Sequence, residues 1–166
     1  EALAYQPDTV IHVIAMGEAE GRAAAETFAG RAGRIVAVSS GDVYLAYGRL
    51  IGTEPGPPEP VPLTEYGSRL RTALYPYRSR AASEDDLLWW YEKILMERAV
   101  AAESSLPASI LRLPKVYGPR KNAALATLYG YADHPEWRWT HGYVDNVAPA
   151  PPLAGADPPA GGAGRH

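Results

Sequence analysis

The residues able to do chemistry fall into three groups. Ser39-Ser40-Gly41-Asp42-Val43-Tyr44 gathers hydroxyls, a carboxylate and a phenol in one short stretch. Lys93 and Glu97 place an ammonium and a carboxylate at helical i,i+4 spacing, the geometry of an ordinary exposed ion pair. Tyr75, Tyr77 and Tyr91 supply further phenols. A phenol, with its pKa near 10, serves as a base at neutral pH only beside a cation. Tyr91 lies two residues from Lys93, which on an unbroken helix turns it about 200° away. It therefore reads as a core residue. Tyr75 and Tyr77, in the loop LYPYR, could fold back over a site. Ser40 and Asp42 equally suit a turn at a strand end.

Other chemistries find no support. His12, His134, His141 and His166 lack metal-ligand spacing, and no HExxH or GxSxG is present. There is no cysteine, hence no disulfide or thiolate metal site, a composition that suits the cytoplasm. A net charge of -3 and the lack of a basic-aromatic stripe give no reason to expect nucleic acid. No apolar run approaches the roughly 20 residues of a membrane span. Trp89-Trp90, Trp137 and Trp139 read as packing anchors.

These groups need elements to hold them. Thr9 to Ala15 (TVIHVIA), Arg34 to Ser39 (RIVAVS) and Ser109 to Leu113 (SILRL) read as strands apolar on both faces, the pattern of a parallel sheet covered by helices. Ala19 to Ala32 reads as a helix with Gly33 as its stop, and Asp85 to Ser104 as one long helix. Val43 to Glu84 is rich in proline and reads mostly as loop, and Ala123 to Tyr131 as a short helix. The order strand, helix, strand, loop, helix, strand makes right-handed parallel crossovers the default. From Pro149 onward prolines and glycines predict a disordered tail, residues 149–166, after a domain spanning 1–148.

Four segments, in order, resemble the NAD-dependent epimerase/dehydratase family of extended short-chain dehydrogenase/reductases. Val10-Ile11-His12-Val13-Ile14-Ala15 is similar to the strand-end motif VIHLAA. Ser39 to Tyr44 resembles SSxxVYG. Lys93 with Glu97 resembles the end of YxxxKxxxE. Leu111 to Pro119 (LRLPKVYGP) resembles LRxxNVYGP, and Tyr143 to Ala148 (YVDNVA) is a weaker match to YVDDVA. The resemblance covers Asp8 to Ala148. It implies an α/β fold with a partial Rossmann-like parallel sheet and flanking helices, the first strands missing. It also implies an NAD or NADP cofactor and a small-molecule substrate such as a nucleotide sugar.

Site roles follow from the resemblance alone. Ser40 would bond the reacting oxygen, and Lys93 would activate a tyrosine and hold the nicotinamide ribose. Val13, Ile14, Ala15, Met16, Leu113 and Pro114 would line the cofactor, and Lys115 and Arg120 would hold the substrate, Lys115 standing where the family has Asn. Arg138 is a further anion-binding candidate, and Asp42 stands where some dehydratases carry an acid. Two departures stand out. Trp89 occupies the position of the motif tyrosine, and an indole N–H only donates. The glycine turn GxxGxxG that cradles the pyrophosphate is not in the sequence. The chain is thus expected to be impaired alone. The competing expectation is a non-catalytic module whose strand Thr9–Ala15 presents an open edge and forms a homo-oligomer.

Overall fold

The structure is a computed structural model that describes residues 6–57, 59–64, 67–119, 133 and 140–156. Strands β1 (Thr9–His12), β2 (Arg34–Ser40) and β3 (Ala108–Leu113) form one sheet in the order β1-β2-β3. Both pairings are parallel, running from Thr9 opposite Arg34 to His12 opposite Ala37, and from Ile35 opposite Ala108 to Ser40 opposite Leu113. β2 is central, and its Ile35, Val36 and Ala37 are fully buried. This α/β arrangement, a three-stranded parallel sheet with flanking helices, is the Rossmann-like class expected from the alternation of elements.

The two faces are covered differently. Helix α1 (Glu18–Phe28) packs on α4 (Lys93–Ala101), and α4 packs on β2. Ile35 and Ala37 meet Ala24 of α1 and Met96 and Val100 of α4 in the core, with Val10 of β1 packed alongside. The fully buried side chains of Ile35, Met96 and Val100 each contribute roughly 1.5–3 kcal/mol. The helices approach so closely that a Cβ on Gly21 would lie 2.9 Å from the Met96 carbonyl oxygen. Successive residues of a strand point to opposite faces, so Thr9 faces away from this core. There it meets α6 (Ala150–Ala156), its hydroxyl donating to the Gly155 carbonyl at 3.1 Å, while Arg34 donates to the Ala154 carbonyl at 3.2 Å.

Helix α6 corrects the expected tail. Pro151 and Pro152 lie in its first turn, where backbone N–H groups have no intrahelical acceptor and proline gives up nothing. The first helical bond is Leu153 N–H to the Pro149 carbonyl at 3.1 Å. Residues 157–166 lie outside the described residues, as do the expected helix Ala123–Tyr131 and the segment with Trp137 and Trp139.

The long helix predicted for Asp85 to Ser104 is two pieces, α3 (Leu87–Trp90) and α4, with Tyr91 and Glu92 in extended conformation between them. Asp86 caps α3, its carboxylate accepting from Leu88 N–H at 2.9 Å. After a single turn at Gly41–Val43, the described residues of the stretch expected as loop, Val43 to Glu84, hold the short helix α2 (Leu45–Leu50) and a single turn at Arg78–Arg80. Beyond the main sheet, β4 (Lys115–Tyr117) and β5 (His141–Tyr143) pair in parallel, and α5 (Val144–Val147) packs on both.

Candidate functional site at the carboxyl end of the sheet

In parallel α/β sheets the carboxyl ends of the strands face the crevice where ligands bind. Here β1 and β2 part company after the pair His12 and Ala37. Lys93 fills the gap. Its ammonium donates to the Ala15 carbonyl at 2.5 Å and to the Val38 carbonyl at 3.0 Å, and the residue is buried. Lys93 is also the first residue of α4, where the helix dipole disfavours a cation. The two strand-end carbonyls offset that. Burial, the largest influence, lowers the Lys93 pKa, and the carboxylates of Asp42, Glu20 and Glu97 oppose it.

The break between α3 and α4 decides where Tyr91 goes. Leaving the helix lets its side chain reach the end of β2 instead of turning away, which corrects its assignment to the core. Its phenol donates to Asp42 Oδ2 at 2.8 Å, and its ring centre lies 5.9 Å from the Lys93 ammonium. Tyr77 reaches the same carboxylate oxygen at 3.0 Å and also lies 3.0 Å from the Tyr47 hydroxyl. The Tyr77 and Tyr91 rings stack tilted, centres 5.2 Å apart. Of the two loop tyrosines, Tyr77 is thus the one that folds over the site. Tyr75 adopts φ 55° and lies beneath the Arg78 guanidinium, 3.6 Å from its ring centre.

Ser40 ends β2 and caps the following turn, its hydroxyl accepting from Asp42 N–H at 3.2 Å. The same hydroxyl bears on the Asp42 carboxyl and the Tyr91 phenol. Asp42 itself is buried, and its Oδ1 is a buried oxygen with no hydrogen-bond partner among the described residues. Burial pushes its carboxyl above the ordinary range, against the pull of the two phenols and Arg71. Burial raises Tyr91 as well, followed by the charge of Asp42, so this phenol keeps its proton at neutral pH.

One buried and one partly buried ion pair hold these groups in place. Arg71 and Glu92 have fully buried side chains and meet fork to fork at 3.0 and 3.1 Å. Arg71 also donates to the carbonyls of Asp42 at 2.7 Å and Ala73 at 2.6 Å. Glu92 accepts from Ile94 N–H at 2.9 Å, capping α4, and from Tyr75 N–H at 2.5 Å. Its own N–H donates to the Met16 carbonyl at 3.0 Å. One arginine thus ties Asp42, the long loop and the residue between Tyr91 and Lys93 into a single unit. The second pair joins Glu97 to Arg112 at 2.8 Å, with Ser39 donating to Glu97 at 2.6 Å. Glu97 is therefore not half of an exposed pair with Lys93. It links α4 to β2 and β3 from a buried position.

The remaining expected site residues are scattered around this centre. Ala15 is fully buried and bound to Lys93 through its carbonyl, whereas Val13 and Ile14 are 55% and 71% exposed. Met16 is half-buried, and its N–H bonds Glu20 at 2.6 Å. Leu113 and Pro114 lie half-buried at the end of β3, opposite Ser40. Lys115 is exposed on β4, and Arg120 and Arg138 lie outside the described residues. The Trp89 ring lies beside Arg78, its centre 5.0 Å from the guanidinium, and its backbone carbonyl accepts from Arg78 at 3.1 Å. Among the described residues no cluster of His, Asp and Glu could hold a metal, and no helix is long and apolar enough to cross a membrane.

The fit to a dinucleotide is one-sided. Exposed apolar Val13 and Ile14, small Ala15 and a buried lysine at the strand ends suit a flat nicotinamide and its ribose. The pyrophosphate end needs closely approaching backbone amides from a glycine turn, and the sequence has no GxxGxxG. Sequence reading missed Arg71 and Glu92 altogether. Their only local signal is a carboxylate just before an apolar helical run, a weak one.

No family model, no curated protein and no solved structure matches this chain.

Proposed function

We propose that this chain carries the proton-transfer half of an NAD(P)-dependent epimerase/dehydratase-like site. The substrate would be a nucleotide sugar or a related hydroxyl or carbonyl compound. One observation supports the reading: at the carboxyl end of the parallel sheet lie a buried lysine, a serine hydroxyl and the Tyr91 phenol, whose ring centre is 5.9 Å from the Lys93 ammonium. Ser40 would donate to the reacting oxygen, Tyr91 would exchange its proton, and Lys93 would orient the ribose. A bound nicotinamide supplies the hydride acceptor. Lacking the glycine turn, the chain alone binds the dinucleotide weakly.

Amide spectra of the nitrogen-labelled chain, titrated with NAD(H) and NADP(H), test this. Fast-exchange shifts at Ala15, Met16, Ser40 and Lys93 at millimolar cofactor are expected. Silence at those amides at the same concentration would remove the cofactor from the reading. Tight binding by calorimetry would overturn the weakness.

A second reading is favoured by a specific feature. Among the described residues β1 is a sheet edge, and Ile11, Val13 and Ile14 on and after it are exposed. An apolar edge without charged side chains invites another strand. On this reading the chain is an oligomerisation module, and sedimentation would find a dimer whose population rises with concentration. A monomer throughout the micromolar range would exclude it.

A further inference from the structure

We propose that Asp42 is the proton acceptor of this site, working through Tyr91 as a carboxylate–phenol couple. The inference rests on the reading of the site given above, and it departs from a tyrosine activated by lysine alone. Three observations lead to it. First, two of the lysine's three N–H donors are spent on backbone carbonyls, which leaves one for the ribose. Its ammonium is held by two carbonyl oxygens at 2.5 and 3.0 Å and stands 5.9 Å from the phenol ring centre. Second, the phenol is already directed. Its hydroxyl donates to Asp42 Oδ2 at 2.8 Å, and the neighbouring carboxylate opposes ionisation of Tyr91. A phenolate formed in advance next to that charge would be repelled. Third, the carboxylate is built to receive. Tyr77 also donates to Oδ2 at 3.0 Å, Arg71 secures the Asp42 carbonyl at 2.7 Å, and Oδ1 is buried with no hydrogen-bond partner among the described residues.

The step then needs no separate phenolate. The O–H bond of a substrate hydroxyl bonded to Tyr91 breaks, and its proton forms a new O–H bond on the phenol oxygen. The former phenol proton passes to Asp42 Oδ2. The electron pair of the broken bond stays on the substrate oxygen, and the carboxylate becomes a carboxylic acid. One proton thus moves inward and the negative charge moves outward, from Asp42 to the substrate oxygen, while the second phenol, Tyr77, remains to hold the acid. A carboxylate raised by burial is a better match for this transfer than an ordinary one, because efficient proton transfer favours a pKa near the working pH. Among the described residues, the charged and titratable groups acting on Asp42 are Arg71, Lys93, Tyr77 and Tyr91, with Tyr47 behind Tyr77.

Carbon-labelled aspartate in the full chain, followed by NMR against pH, tests the couple. The expected result is an Asp42 carboxyl titrating above the ordinary value of about 3.9. Tyr91→Phe should move that midpoint higher still, because the phenol stabilises the charged form. Tyr77→Phe should do the same. A hydroxyl proton resonance assigned to Tyr91 should shift with the Asp42 midpoint and vanish in Tyr91→Phe. Asp42→Asn should lower the midpoint of tyrosinate formation seen by ultraviolet absorbance. If Asn at this buried position prevents folding, the two Phe variants carry the test alone. An Asp42 midpoint in the ordinary range, unmoved by Tyr91→Phe, would overturn the couple. None of these readouts uses cofactor. Absent cofactor shifts with an intact titration therefore indict the proposed function, and cofactor shifts with no coupled titration indict Asp42.

Discussion

The two flanks of β2 solve opposite problems. Toward α4 and the long loop, charge is buried and paired: Arg71 with Glu92, Glu97 with Arg112 and Ser39, Lys93 with two carbonyls. Toward β1 and the segment after it, apolar side chains stand in the open, Ile14 at 71% exposure. Desolvating a charge is costly unless its partners are in place, so the first flank exists only as a rigid, finished arrangement. Exposed apolar surface costs little locally and is satisfied only by a partner. The contrast teaches that buried, paired charge and exposed apolar surface sit on neighbouring strands here, held by different physics.

Breaking the buried flank should have the largest effect. Arg71→Ala or Glu92→Ala leaves the other charge uncompensated and should cost about 3–5 kcal/mol by urea unfolding. A loss below about 1 kcal/mol, the worth of an exposed pair, would mean that this flank is no better tied than a surface one. Next comes Gly155→Leu, whose Cβ would lie 2.7 Å from Thr9 Cγ2. Overpacking there should cost about 1–3 kcal/mol and loosen α6 from the sheet. An unchanged midpoint, with Thr9 amide protection intact, would argue that α6 is not docked as described.

The pH dependence sharpens the comparison further, because its two slopes both come from the buried flank. Asp42 is raised in the folded state, so the native protein holds its proton after the unfolded chain has released it. Stability should fall as pH rises from the ordinary aspartate value, about 3.9, through the raised one. Lys93 is lowered, so the native protein releases first, and stability should rise as pH climbs through the lowered value toward 10.5. Asp42→Asn should flatten the first slope and leave the second; a first slope that survives it would assign the effect to another carboxyl. The smallest effect belongs to the open flank. Ile14→Asp should change unfolding stability by no more than about 0.5 kcal/mol, yet abolish any concentration-dependent dimer in sedimentation. A dimer that persists would move the interface away from the β1 edge.

Much of the framework was legible along the chain. The β-branched runs of β1, β2 and β3 stand out because a strand covered on both faces has no polar alternation to confuse the reading. The i,i+4 spacing of Lys93 and Glu97 placed both on α4, and Ser40 at the end of a central strand. The break at Tyr91 and Glu92 was not legible. Trp89, Trp90, Tyr91 and Glu92 have unremarkable helix propensities, and the bonds that offset the lost helical ones come from Met16 and Arg71, far away in sequence. Helix α6 was hidden for another reason: prolines forbid a helix interior but not a first turn, and composition does not distinguish the two.

By itself, then, the sequence determined the three strands of the main sheet and the helical runs of α1 and α4, because hydrophobic period and turn chemistry act over a few residues; that a lysine and a serine belong at one end of that sheet was only what the family resemblance implied. Only the tertiary structure decided which tyrosine joins them. That choice depends on a buried arginine holding the chain open between two helices, and the free energy of burying a charge depends on everything packed around it.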